Sequence, residues 1–242
     1  VRTKVALIDF SSFAKFEITG KDAHKFLDHL LANRLPAVGK VSLAHVLTQA
    51  DGIRSEFTVT CFSKEHFYVV TPAWAERFDE DLLLKTCPDD DSVQVKNITA
   101  AKGAFVITGP NSRDLLSEII TQDLSQSSFP WFSAQTVDVT GVGKMLAIRV
   151  SYIGELGWEL YIPTDQAAHV FEALVAAGSD HGLKLCGLHA MDSCRIEKGY
   201  RHFGHDITDE DHVLEAGLGF AVKTDKGAFI GREAVLRKRD PG

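Results

Sequence analysis

The stretch Ala147–Pro163, AIRVSYIGELGWELYIP, decides how the chain is read. Leu146, Ile148, Val150 and Tyr152 alternate on one face, and Trp158, Leu160 and Ile162 on another. That period of two describes a pair of strands around a tight loop punctuated by Gly154 and Gly157. Among these apolar residues sit Tyr152, Glu155 and Glu159, and a carboxylate in such a setting needs a partner. If residues 153–157 form a five-residue loop, Tyr152 pairs with Trp158. Parity then sends Tyr152 and Glu159 to opposite faces of the sheet, unless a bulge, another register or strong twist intervenes.

Outward from the hairpin, the chain of 242 residues is 45% hydrophobic and 24% charged, which suits one large globular domain or two small ones. Twenty-six Lys and Arg against 33 Asp and Glu leave a formal charge of −7, so no overall basic field gathers nucleic acid or an anionic membrane. No run approaches the roughly 20 apolar residues of a membrane span, and VRTKVALIDF lacks a signal-peptide pattern. The expectation is a bacterial cytoplasmic or mitochondrial-matrix protein with neither nucleic acid nor membrane as partner. Cys61, Cys87, Cys186 and Cys194 show no CxxC spacing and read as reduced thiols. A start without Met and an end at RKRDPG suggest a piece of something longer.

In chain order, strands are expected at residues 4–10 and 16–18, then a helix capped by Asp22 with Phe26, Leu27, Leu30 and Leu31 as its stripe. A strand at 43–48 leads into the turn Gln49-Ala50-Asp51-Gly52. From there a ββαββα run follows: strands 53–62 and 66–71, helix 74–85, strands 93–98 and 103–108, and a helix opened by Gly109-Pro110-Asn111. Residues 122–133 read as a Ser/Gln-rich connection and a boundary. Strands at 135–140, 144–152 and 158–162, a helix from Asp165 to Ala177 closed by Gly178, a helix over 187–199 and a strand near 219–222 complete the chain. The mixture lacks regular βαβ alternation, so the class is α+β with split ferredoxin-like units.

Familiar site signatures are missing: Gly141-Val142-Gly143 has no third Gly or following helix, and there is no GxSxG, Walker loop or HExxH. His202, His205 and Asp206 lack a clear fourth partner, so no metal is assigned. Glu56, in IRSEFTV, shares its parity with Arg54 and Thr58 and reads on spacing alone as part of a solvated sheet face. Glu159 reads likewise as an edge-strand carboxylate facing water. Arg195 shares a helical stripe with Leu188 and Met191, and Asp192 at i−3 offers it a structural partner.

Longer motifs add a resemblance. Tyr152-Ile153-Gly154-Glu155-Leu156-Gly157-Trp158-Glu159-Leu160-Tyr161 resembles the hairpin of the aminomethyltransferase (glycine-cleavage T-protein) family, in the version found in the folate domain of dimethylglycine and sarcosine dehydrogenases. KNIT followed by Gly109-Pro110, RIEKGYRHFGHDIT at 195–208, LEAGLGFAVK and FIGREA recur there in the same order. The resemblance implies the T-protein folate-binding fold, a three-lobed cloverleaf around tetrahydrofolate. The first lobe, 1–48 and 134–242, would be the folate-binding core, 49–133 an inserted second α+β lobe, and a third, β-barrel lobe would be missing. FAD would belong to a domain not present in this chain.

By motif position the resemblance makes Glu56 the catalytic acid, where T-proteins carry Asp, and makes Tyr152, Glu159, Thr58 and Arg195 cofactor-binding. The chemistry suits these types. A carboxylate accepts the pterin's paired N–H donors, a Tyr covers its ring face, and an Arg fork matches glutamyl carboxylates. Glu56 would accept a proton as a folate nitrogen takes up one carbon, giving 5,10-methylenetetrahydrofolate. The partner would be a small methylated amine, or the formaldehyde or iminium derived from it by a covalently linked flavin domain. A T-protein receiving aminomethyl from a lipoyl protein, a folate-binding module without transfer activity, and a demethylase forming 5-methyltetrahydrofolate are the alternatives.

Overall fold

The computed structural model of the chain describes residues 1–239. Its first half runs β1 (Val5–Asp9), β2 (Ala14–Thr19), α1 (Ala23–Leu30), β3 (Val41–Leu47), β4 (Ile53–Ser63), β5 (His66–Thr71), α2 (Glu76–Thr86) and β6 (Gln94–Asn97). Then come β7 (Lys102–Thr108), α3 (Ser112–Ile119), β8 (Ser133–Val139), β9 (Gly143–Arg149) and β10 (Gly157–Pro163). The chain continues through α4 (Ala167–His181), β11 (Leu183–Leu185), α5 (Leu188–Glu197) and α6 (Arg232–Arg239). The architecture is α+β, and among the described residues neither of its two sheets closes into a barrel.

The chain forms two compact units: Val1–Ser12 with Thr99–Tyr200, and Phe13–Ile98 with the residues from Arg201 onward. In the second, an antiparallel sheet has the order β3-β4-β5-β2-β6. Alternation builds its core: Phe16 and Ile18, Phe57 and Val59, and Phe67 and Val69 turn one face to Phe26, Leu27 and Leu30 of α1 and Leu83 of α2. The wholly buried Asp79 anchors α2 by accepting hydrogen bonds from the Ser55 and Thr71 hydroxyls. Residues 203–235 close the end of the β3–β4 hairpin, packing Phe203, Ile207, Val213, Phe229 and Val235 on Leu47 and Ile53. The approach is so tight that a Cβ on Gly52 would lie 1.8 Å from the Asp209 carbonyl oxygen.

The first unit holds a sheet of order β11-β1-β7-β10-β9-β8, antiparallel apart from the β1–β11 pair. Leu115, Leu116 and Ile119 of α3 and Val170 and Leu174 of α4 pack on Ile107, Trp158, Leu160 and Ile162. Both units repeat one order, β-α-β-β-β-α-β, as β2 to β6 and as β7 to β11. The run β6-β2-β5-β4 is the split ferredoxin-like arrangement with β3 added outside, and in the first unit β1 enters between β11 and β7.

Several expectations need correction. The lobes expected at 1–48 with 134–242 and at 49–133 differ from these units, because β4 pairs with β3 across the 48/49 boundary, while β6 joins β2 and β7 joins β1 and β10. Residues 240–242 of that expected first lobe lie outside the described residues. The Ser/Gln-rich segment, expected as a boundary, lies within the first unit, where the hydroxyls of Ser125 and Ser128 donate to Asp123. Helix α4 continues past Gly178, whose missing side chain admits Leu183, and stops at Gly182 with φ +71°, where the left-handed region favours glycine. Asp22 precedes α1, and its carbonyl accepts from the Phe26 N–H, but among the described residues its side chain makes no capping hydrogen bond. Residues 219–221 form a single 3₁₀ turn instead of a strand, with Val222 N–H bonded to the Gly219 carbonyl.

Candidate functional site

Strand β10 lies between β7 and β9, so it is a central strand, not the edge on which a solvated Glu159 was expected. Its register places Glu159 opposite Ile148 and Val106, and Tyr161 opposite Leu146 and Ala104. Trp158, Leu160 and Ile162 point into the α3–α4 core, which leaves Glu159 and Tyr161 together on the other face. The Tyr161 hydroxyl donates to Glu159 Oε2 at 2.6 Å. Burial pushes the half-buried Glu159 carboxyl up to about 6, against the opposing pull of that hydrogen bond.

The same register removes the parity conflict. Strand β9 ends at Arg149, so Tyr152 belongs to the irregular connection 150–156 and its direction follows the loop. Arg2 fixes that loop. One Nη donates to the Ile153 carbonyl (2.9 Å) and to Glu155 (2.6 Å), the other to the Cys194 carbonyl (3.0 Å) and Glu197 (2.7 Å). Glu155 thus finds its partner in Arg2. Tyr152 stacks on Tyr200, with ring centroids 6.4 Å apart and planes at 27°.

Arg195 of α5 is only 2% exposed and is committed to its own surroundings. Its Nε and Nη2 meet Asp192 Oδ1 at 2.7 and 2.6 Å, and Nη1 donates to the Tyr200 carbonyl at 3.0 Å. This is the structural partner that the i−3 spacing offered. Through the Tyr200 backbone it also holds the ring against which Tyr152 stacks.

Glu56 and Thr58 lie on the second unit, on the face of β4 turned away from α1 and α2. Both are half-buried, so the solvated sheet face expected for them is not what forms. His45 stands directly across on β3, wholly buried, with Nε2 3.0 Å from Glu56 Oε2. Thr58 lies between Leu43 and Val70, and the buried Lys15 of β2 follows beyond Val70. Arg54, of the same parity, places its guanidinium 3.7 Å over the Phe78 ring.

The five expected residues therefore form two groups, Tyr152, Glu159 and Arg195 on one unit and Glu56 and Thr58 on the other. Four contributors went unassigned: Arg2, His45, Tyr161 and Tyr200. His45 was readable as the one polar residue between Ala44 and Val46, and Tyr161 as the same-face neighbour of Glu159. Arg2 and Tyr200 carry no local signal, because their partners lie far along the chain. Asp206 accepts from the His202 N–H at 2.9 Å and sits 3.0 Å from His205 Nδ1, closing a turn. A 440 Å³ cavity in the first unit, lined by Leu7, Phe105, Phe171 and Cys186, includes none of the five.

Two repeated ferredoxin-like units and a carboxylate–tyrosine pair on a central strand describe a class of domain that known sequences identify. The profile of the GCVT N-terminal domain matches residues 1–226, and the chain belongs to that family. It is 36% identical over 247 residues to the mitochondrial dimethylglycine dehydrogenase of Homo sapiens, with 100% of this chain and 28% of that protein covered. To the aminomethyltransferase of Caldanaerobacter subterraneus subsp. tengcongensis it is 33% identical over 244 residues, covering 100% and 64%. The crystal structure of glycine cleavage system aminomethyltransferase T from Bartonella henselae superposes with a TM-score of 0.86 at 24% identity, over 100% of this chain and 64% of that one, a likeness of fold. The chain is thus an aminomethyltransferase-type domain that spans 28% of the length of the human dehydrogenase it matches. Among the described residues no helix is long and apolar enough to cross a membrane.

Proposed function

We propose that the chain is a tetrahydrofolate-binding one-carbon transfer domain, the folate module of a dimethylglycine- or sarcosine-dehydrogenase-like enzyme that forms 5,10-methylenetetrahydrofolate. FAD would sit on another part of that protein, in a bacterial cytoplasm or a mitochondrial matrix. The observation that carries the reading is Glu159, a half-buried carboxylate on a central strand with one oxygen held by Tyr161. Such a carboxylate has high proton affinity because it lacks water, and a ligand presenting N–H donors replaces what burial removed. A pterin edge presents two such donors side by side, and this donor set fits it.

Tetrahydrofolate, when bound, supplies the nucleophilic nitrogens that accept the carbon. The chain's own residues do the rest. Glu159 accepts the pterin N–H donors, and Tyr161 keeps its carboxylate ionised and turned. Tyr152, backed by Tyr200, covers the ring face. Glu56 takes a proton at its carboxylate. Thr58 adds a hydroxyl one side chain along on the same face. Arg195, first assigned to the glutamyl tail, acts through Tyr200 in this reading, since Asp192 and the Tyr200 carbonyl hold its guanidinium. The 33% identity to an aminomethyltransferase supports a second reading, in which the incoming unit is an aminomethyl group.

Anaerobic titration with tetrahydrofolate, followed by quenching of the three Trp, tests the reading on wild type and Glu159→Gln. Saturable binding that weakens by about 1–3 kcal/mol in the variant is expected, the usual cost of stranding a buried donor. A folded wild-type protein that shows no saturable binding sinks the reading.

A further inference from the structure

We infer that His45 is a positioning residue for Glu56: its Nε2–H holds one carboxylate oxygen and so presents the other at the half-buried face of β4. The inference rests on the role proposed above for Glu56 and adds a residue to it. His45 and Glu56 form a directly opposed pair of the antiparallel β3–β4 ladder, so backbone register already brings their side chains together. Nε2 and Oε2 are 3.0 Å apart, and exposure falls from 17% at the Glu56 side chain to none at His45. The imidazole is the buried end of the pair and the carboxylate its accessible end.

The proton's place on the ring follows from the other nitrogen. His45 Nδ1 is buried and has no hydrogen-bond partner among the described residues. A hydrogen there would be an orphaned buried donor, which folded proteins avoid more strictly than a bare acceptor lone pair. The proton therefore sits on Nε2, aimed at Oε2. That hydrogen bond steadies one carboxylate oxygen, and Glu56 Oε1 is left to accept.

Side-chain length makes this matter. Glu has one more rotatable bond than Asp, and an unrestrained Glu on a strand sweeps its carboxylate through several positions. A fixed anchor on one oxygen removes that freedom, and acid–base catalysis is sensitive to placement at the scale of an ångström.

The test uses the intact protein and three variants, with tetrahydrofolate-dependent product formation and ¹⁵N NMR of the His45 ring as readouts. His45→Leu keeps bulk and removes the donor; kcat should fall on the order of 10–100-fold with KM for tetrahydrofolate within about threefold. His45→Gln puts an amide N–H near the place of Nε2 and should recover most of that loss. The wild-type ring should show Nε2 protonated and Nδ1 bare, a readout independent of turnover. Wild-type kcat in a folded His45→Leu protein overturns the inference, as does a Gln variant no better than Leu or a spectrum showing the proton on Nδ1 with Nε2 bare. If Glu56→Gln is inactive while His45→Leu is fully active, only the positioning role falls. If Glu56→Gln turns over normally, the catalytic reading of Glu56 falls and takes this one with it.

Discussion

Replacing Glu159 with Gln should stabilise the protein above neutral pH while weakening its ligand. Burial raises this carboxyl from an ordinary 4.5 to about 6. At about 1.4 kcal/mol per tenfold change in proton affinity, the difference amounts to roughly 2 kcal/mol. The folded state holds the proton more tightly than the unfolded one, so the group's stabilising contribution is complete below pH 4.5 and is lost as pH rises through about 6. Gln does not titrate. The stability of Glu159→Gln relative to wild type should therefore climb by about 2 kcal/mol between pH 4.5 and 7.5, while the pH dependence of every other group cancels in the comparison. Urea unfolding at matched pH reads this as a midpoint difference that grows by about 1 M, for a slope near 2 kcal/mol per M. A difference that stays flat with pH would refute the burial argument, and unweakened tetrahydrofolate binding in a more stable variant would refute the ligand role. Stability gained together with binding lost is what a residue kept for function produces.

Further expectations are open to direct measurement. Tyr161→Phe removes the one described hydrogen bond that lowers the Glu159 pKa; the acid limb of tetrahydrofolate binding, which follows protonation of Glu159, should move to higher pH in a titration series. Asp79→Ala strands the buried Thr71 hydroxyl and leaves that of Ser55 only the Arg54 carbonyl, and should cost about 1–3 kcal/mol in chemical denaturation, whereas Asp79→Asn keeps an acceptor and should cost much less. Arg2→Ala releases Ile153, Glu155, Cys194 and Glu197 at once, so amide exchange should quicken across 150–156 with the β4–β5 amides unchanged. Gly52→Ala drives a methyl against the Asp209 carbonyl and should lower Tm by several degrees, on the order of 2–4 °C per kcal/mol lost.

The fold was legible wherever one face of an element is apolar. Phe57, Val59 and their partners alternate through IRSEFTV, and Trp158, Leu160 and Ile162 through GWELYIP, and both became central strands. Legibility failed where structure depends on distant chain. No spacing tells that β6 pairs with β2 while β7 pairs with β1, so the expected units were cut in the wrong places. Gly178 read as a helix stop because sequence shows the glycine but not the Leu183 that needs the room. The site divides the same way. Glu159 and Tyr161 are two residues apart on one strand face, whereas Arg2 and Glu155 stand 153 apart and meet only in the fold. Helix α6 went unread because Arg232, Lys238 and Arg239 leave it little apolar stripe.

The chain passes from one unit to the other after residues 12, 98 and 200, so neither unit is continuous. For a chain made from its N-terminus this is a matter of timing. Strand β1 ends at Asp9 and its antiparallel partner β7 begins at Lys102. At roughly 5–20 residues per second, β1 stays unpaired on the ribosome for on the order of 5–20 s. By then β2 to β6 have all been made and can pair among themselves, while the segment that closes the β3–β4 hairpin emerges only after residue 200. Each unit thus waits for chain that the other interrupts, and one nick at residue 98/99 would leave both still threaded through two polypeptides.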